Sequence, residues 1–394
     1  MGSQWSNQSN DYLFKQRIAL LETFIEEQKE ITTLLKQENE ALKTLYENNP
    51  DNPNVLEQII KSFENKDYEY LIFSGGGIKG LAFGSALCCL EKLNIIKYDQ
   101  NNNLKLKGVA GTSAGSIIAS LLGIGYKPIE ILEKIKNLDT KKIFSDDLGY
   151  IHEGINFVKD YGFCPGIYLM ELLGTLIFEK TGNPDYTIDD LYKDKNIKLV
   201  IVSTDMNCQS SRYFYPGNRE KEYFNIPIRK AVRMSMGIPF QFEAMVYNKN
   251  YMVDGGVLDN YPLHVFDGEY PGDPKARLNL LEPNPNVLGI KIMTTDDIPN
   301  YNYVPRQEIT SLLNYCLSFI NMFLVENERR IMSPSYWLRS IIIITQDFPI
   351  NKSTLTVEEK EELINSGEKF TMEFFNEENN KSKKIIKSLK CLKK

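Results

Sequence analysis

Residues 68–93 read YEYLIFS, then GGGIKG, then LAFGSALCCLEKL, and residues 106–124 read LKGVAGTSAGSIIASLLGI. In both, a short β-branched or aromatic run meets a glycine-rich turn and a helix-like apolar segment follows. A strand, a Gly turn and a helix used twice in succession predict an α/β fold with a largely parallel sheet. Working outward, Ile197–Thr204 (IKLVIVST), Val287–Met293 and Ser340–Thr345 are further strand candidates, and Tyr168–Lys180 is a strongly apolar helix candidate. Thr187 with Asp190, and Thr356 with Glu359, match the capping box that opens a helix. A long helix is expected over 308–332, ending before Pro334.

The chain has 394 residues, 42% hydrophobic and 25% charged, enough for a sizeable core and two or three domains by length. No apolar run approaches the ~20 residues of a membrane-spanning helix, and no secretory signal pattern opens the chain. A net charge of −6 argues against nucleic acid as a partner. Six Cys (88, 89, 164, 208, 316, 391) form neither a disulfide scaffold nor a metal-ligand spacing, and His152 and His264 are the only histidines. The inventory therefore argues against a zinc enzyme and for a reducing, cytoplasmic setting; no cofactor is expected.

The ends differ from the middle. Residues 10–48 lack Gly and Pro and carry a heptad-like seam (Phe14, Leu21, Phe24, Ile31, Leu35, Leu42, Leu45), which suits packing on the chain's own domain or self-association. The proline-broken stretch NNPDNPN at 48–54 closes it, so 1–50 reads as a helical segment and 51–66 as a linker. At the other end, 381–394 holds seven Lys and no acid; removing these seven from 46 basic residues leaves 39 against 52 acidic. Such a tail suits an anionic membrane surface as well as plain solvation. MGSQWS fits the pattern for acylation of Gly2, and Cys391 is a weaker lipidation candidate.

Three glycine motifs offer chemistry. Gly75-x-Gly77-x-x-Gly80 after a strand fits dinucleotide binding, with Asp99 near the expected acidic position, and Leu81 in place of Lys excludes a P-loop. Gly111-Thr-Ser113-Ala-Gly115 between strand and helix is the small-x-Ser-x-small elbow that exposes a nucleophilic hydroxyl. Asp254 stands at the end of YMV and before Gly255 and Gly256, where another backbone can approach it closely. A carboxylate near pKa ~4 is a weak base for a hydroxyl, so such a pair needs strong oxyanion stabilisation, which inward-turned amides of GGGIKG supply. His264, ten residues after Asp254, is the alternative base in a Ser–Asp–His triad.

The ordered set GGGIKG, GTSAG and DGG, with RMSMGIPFQF at 233–242 and DGGVLDNYPL at 254–263, resembles the patatin-like phospholipases over roughly residues 70–267. The resemblance implies a patatin-like three-layer core over 67–267 with a mainly parallel central sheet. It implies Ser113 as nucleophile, Asp254 as general base, an oxyanion hole from Gly75, Gly76 and Gly77, support from Gly80, Gly111, Gly115, Gly255 and Gly256, and no metal. Residues 268–380 are then an extension of strands and helices completing the fold. The expected activity is phospholipase A-type cleavage of acyl esters at a membrane surface, with apolar stretches Leu81–Leu90, Ile117–Ile124 and Tyr168–Phe178 as candidate acyl-groove linings. Acyl transfer by the same dyad, dependence on an activating partner, a catalytically silent binding protein and a nucleotide-dependent oxidoreductase are the alternatives.

Overall fold

The computed structural model describes residues 67–146, 161–218, 225–294, 334–346 and 354–376, with 309–310, 315–316, 318–320, 322, 348 and 352. The expected N-terminal helix and linker, His152, most of 308–332 and the lysine-rich tail lie outside the described residues.

Among the described residues ten strands are present: β1 (Tyr70–Phe73), β2 (Gly108–Thr112), β3 (Gly162–Cys164), β4 (Lys198–Asp205), β5 (Ser210–Phe214), β6 (Phe240–Phe242), β7 (Met245–Tyr247), β8 (Asn250–Asp254), β9 (Val287–Thr294) and β10 (Ser340–Thr345). The main helices are α1 (Leu81–Lys92), α2 (Ala114–Ile124), α3 (Pro128–Lys136), α4 (Thr140–Ser145), α5 (Ile167–Thr181), α6 (Ile188–Lys195), α7 (Ile228–Ser235) and α8 (Val357–Asn376). Eight strands form one sheet in the order β10-β9-β1-β2-β4-β8-β7, with β5 on β4, while β3 and β6 pair separately. The five from β10 to β4 are parallel, and β5, β7 and β8 join antiparallel.

Strands buried on both faces explain the near-continuous apolar runs of β4 and β10. Alternate residues turn to opposite faces. Leu71, Phe73, Val109, Leu199, Ile201, Leu288 and Ile290 join the larger core with α1, α2 and α5. Ile72, Ala110, Val200 and Val287 turn to a smaller core closed by Tyr261, Leu263, Val265 and Tyr336. Three layers result, as expected.

Both capping boxes form: the Asp190 amide donates to Thr187 Oγ1 at 3.1 Å, and the Glu359 amide to Thr356 Oγ1 at 3.2 Å. Strands from beyond residue 267 continue the sheet, since β9 lies between β1 and β10. α8 lies against α1 at Gly367, where a Cβ would stand 2.2 Å from the Ala82 carbonyl oxygen. Among the described residues no helix is long and apolar enough to cross a membrane.

Candidate active site

β2 ends at Thr112, and Ser113 takes φ 51° and ψ −126° before α2 begins at Ala114. A positive φ at a non-glycine residue costs of order 1–3 kcal/mol and persists only where its surroundings impose it. Two glycines allow the imposition. A Cβ on Gly111 would lie 2.3 Å from the Gly115 carbonyl oxygen, and one on Gly115 would lie 2.5 Å from the Ser74 carbonyl oxygen. α2 is thereby pressed against the ends of β1 and β2. Replacing Gly115 by Ala is expected to destabilise the fold by about 3 kcal/mol or more, because backbone and not a flexible side chain blocks the new methyl. Urea denaturation checks this, and a loss below about 1 kcal/mol contradicts it.

Sheet register brings the second residue. β2 pairs with β4 from Lys198 to Val202, Thr112 lying opposite Val202. β8 then takes over the same edge in the opposite direction, with Asp254 opposite Ser203. One strand ends where the other arrives, so Ser113 and Asp254 meet. Ser113 Oγ donates to Asp254 Oδ2 at 2.7 Å, and the Gly256 amide donates to Asp254 Oδ1 at 2.7 Å. Gly255 permits the approach, since a Cβ there would stand 2.4 Å from the Val202 carbonyl oxygen. Asp254 is only 5% exposed. Burial pushes its pKa up to about 7, against the opposing pull of the Gly256 amide and the Ser113 hydroxyl.

The GGGIKG loop crosses above this pair. A Cβ on Gly75 would come within 3.3 Å of Ser113 Cβ, and one on Gly80 within 3.0 Å of Ala114 Cβ. The three glycines are not equivalent donors. The Gly75 amide donates to the Asn260 carbonyl at 2.9 Å, which corrects the expectation that it faces an oxyanion. Among the described residues, neither Gly76 nor Gly77 has its amide proton taken by another group. Gly77, at φ 52°, has open space where a Cβ would stand. The loop is held from behind, with Ser74 Oγ donating to the Gly75 carbonyl at 2.9 Å and accepting from the Ile292 amide at 3.1 Å.

His264 is not a partner of Ser113. It is 2% exposed, with Nε2 3.4 Å from the Tyr213 hydroxyl and 3.8 Å from Asp259 Oδ2, and Nδ1 3.4 Å from the Tyr336 hydroxyl. Burial lowers its pKa, and its ring belongs to a polar knot on the far face of the sheet. That knot steadies the site at one remove. Tyr213 OH donates to Asp259 Oδ2 at 2.8 Å, and the Asp259 carbonyl accepts from Thr112 Oγ1 at 3.0 Å, one residue before Ser113. Asp99 does not serve a nucleotide either, since its exposed carboxylate accepts from the Asn101 and Asn103 amides of its own turn, at 2.9 and 2.7 Å.

Two contributions were missed in the sequence. Ser235, at the end of α7, accepts from the Ser113 amide at 2.9 Å. It lies inside RMSMGIPFQF, a segment noted only for its resemblance. Asn260 supplies the carbonyl that pins Gly75. Beside the pair opens an apolar cavity of about 70 Å³, lined by Gly77, Gly80, Leu81, Ala114, Ile117, Ile118 and Met236 among others. Of the stretches expected to line an acyl groove, Leu81 and Ile117–Ile118 do so and Tyr168–Phe178 does not. Among the described residues no group of three His, Cys, Asp or Glu is placed to hold a metal ion.

A hydroxyl on a forced elbow, a buried carboxylate within hydrogen-bond reach, free amides across from them and an adjoining apolar cavity suit acyl transfer through a serine. The sequence model of the family described as Patatin-like phospholipase matches residues 71–267. An uncharacterised protein of Acanthamoeba polyphaga mimivirus is 29% identical over 309 residues, 78% of this chain and 93% of that protein. A probable lipid hydrolase of Invertebrate iridescent virus 6 is 27% identical over 205 residues; the match spans 52% of this chain and 65% of the viral protein. Among solved structures, VipD from Legionella pneumophila is similar at 18% identity and a TM-score of 0.49, over 79% of this chain and 67% of VipD.

Proposed function

The chain belongs to the patatin-like phospholipase family of lipid hydrolases, and we propose that it cleaves fatty-acyl esters of phospholipids through Ser113 and Asp254. The observation that carries the reading is the 2.7 Å hydrogen bond from Ser113 Oγ to a carboxylate whose pKa lies near 7. A carboxylate at its ordinary pKa of 3.8 holds a proton too weakly to take one from an alcohol. Burial removes part of that deficit, and stabilisation of the oxyanion supplies the rest.

Ser113 Oγ attacks the ester carbonyl carbon while Asp254 Oδ2 takes its proton. The carbonyl oxygen becomes an oxyanion that accepts from the Gly76 and Gly77 amides, and the positive end of α2 adds to the field. Collapse breaks the bond to the alcohol, which leaves with the proton returned by Asp254. Water then attacks the acyl-serine with Asp254 again as base, releasing fatty acid and restoring Ser113. Ser235 keeps the elbow in place through the Ser113 amide, and the cavity beginning at Ala114 accommodates the acyl chain.

The test is fatty-acid release from vesicles of mixed zwitterionic and anionic phospholipid by the full chain, with fluorophosphonate labelling of the same preparation. Release together with labelling at Ser113 is expected. Absence of both would make Ser113 unreactive and remove the hydrolase reading.

A further inference from the structure

The cavity beside Ser113 is lined in part by residues that the patatin segment does not supply. Leu355 and Lys360, both beyond residue 267, line it together with Ile118, Leu138, Ile143 and Phe144. Helix capping explains why these two act together. Thr356 is the N-cap of α8, accepting from the Glu359 amide at 3.2 Å while its own amide donates to Glu359 Oε2 at 2.9 Å. In a capped helix the residue before the cap and the fourth helical residue lie side by side and usually make an apolar contact. Here they are Leu355 and Lys360. The lysine contributes an apolar stem and carries its ammonium across to the Lys136 carbonyl at the end of α3, 2.9 Å away. That carbonyl is among the last-turn acceptors left without an intrahelical partner, a favourable seat for a cation. Leu363, 2% exposed, and Gly367 fix α8 on the core, so this turn is held in place.

We propose that the first turn of α8 sets the acyl-chain length accepted at Ser113, with Leu355 and the Lys360 stem as specificity-determining residues. The occupant is the acyl chain of the bound ester, because the cavity is apolar and adjoins the serine elbow. Ala114 and Met236, the residues directly after Ser113 and Ser235, are among its lining. A chain that fits within it stays in apolar contact, and a longer one is driven against a hydrogen-bonded ammonium. Each methylene kept out of apolar surroundings corresponds to about a fourfold loss in kcat/KM. The inference rests on the hydrolase reading of Ser113.

The experiment measures kcat/KM for p-nitrophenyl esters from butyrate to palmitate in wild type, Leu355→Trp and Leu355→Ala. Binding of cis-parinaric acid, a fluorescent fatty acid, to the Ser113→Ala protein with and without the same changes is measured alongside. Leu355→Trp is expected to lower the palmitate-to-butyrate ratio by about tenfold or more and to weaken parinaric acid binding by a similar factor; Leu355→Ala shifts both the other way. A ratio and a binding constant within about twofold of the parent in both variants overturn the proposal. If parinaric acid binding responds as expected while no ester is hydrolysed, the chain site stands and the hydrolase reading falls instead. Thermal melting identifies a variant that has not folded, and the second substitution then decides.

Discussion

Ser113→Ala is expected to lower ester hydrolysis by at least about 10³-fold, with fluorophosphonate labelling lost as well. In the proposed mechanism this hydroxyl is the group that forms and breaks the covalent bond. Its nearest hydroxyl neighbours are committed elsewhere: Ser116 Oγ donates to the Ser113 carbonyl at 2.6 Å, and Ser235 Oγ accepts from the Ser113 amide. The substitution leaves the backbone argument unchanged, since alanine and serine are similarly disfavoured at φ 51°. The fold is therefore retained, and circular dichroism matching wild type separates loss of chemistry from loss of structure. Residual activity above about a tenth of wild type would assign the chemistry to another residue.

Asp254→Asn is expected to be as damaging to activity, and its pH behaviour is more informative. Asn still accepts from the Gly256 amide but takes no proton from Ser113. The base must be ionised to act, so wild-type kcat/KM rises with pH through about 7 and then levels. Stability moves the other way. The folded-state pKa of Asp254 lies above its unfolded value of 3.8, so the folded protein binds more protons in the window between them. The stability associated with a protonated Asp254 is fully present below pH 3.8 and is lost as pH rises through about 7. From 3.8 to about 7 the difference corresponds to about 4 kcal/mol. Asp254→Asn, which has no charge to bury, should melt a few degrees above wild type at pH 8 and close to it at pH 4.5. A wild-type profile flat from pH 5.5 to 8.5 would show that Asp254 is not the titrating base. Equal melting temperatures at pH 8 would show that its carboxylate is not held at the cost of folding.

Sequence and structure agree where the information is local. The order of strand, glycine turn and helix was readable because β-branched runs, glycine placement and capping boxes act over a few residues. Strand limits shifted only slightly: β4 runs Lys198–Asp205 where the sequence predicts a strand over Ile197–Thr204. The glycine requirement at 111 and 115 was equally plain, although which backbone atoms impose it came from the packed structure.

The amino-acid sequence by itself determined the α/β class, the serine elbow and the aspartate before two glycines, since each is a short-range steric statement. Tertiary structure decided which of these groups meet. Ser113 and Asp254 are 141 residues apart, and Ser113 and Ser235 are 122 apart. They come together because β8 enters β4's edge where β2 leaves it. The same packing placed His264 on the far face, satisfied the Gly75 amide with the Asn260 carbonyl, and set Leu355 and Lys360 against the cavity. Register and burial depend on how the whole sheet and its helices close together, and no window of a few residues contains that sum of contacts.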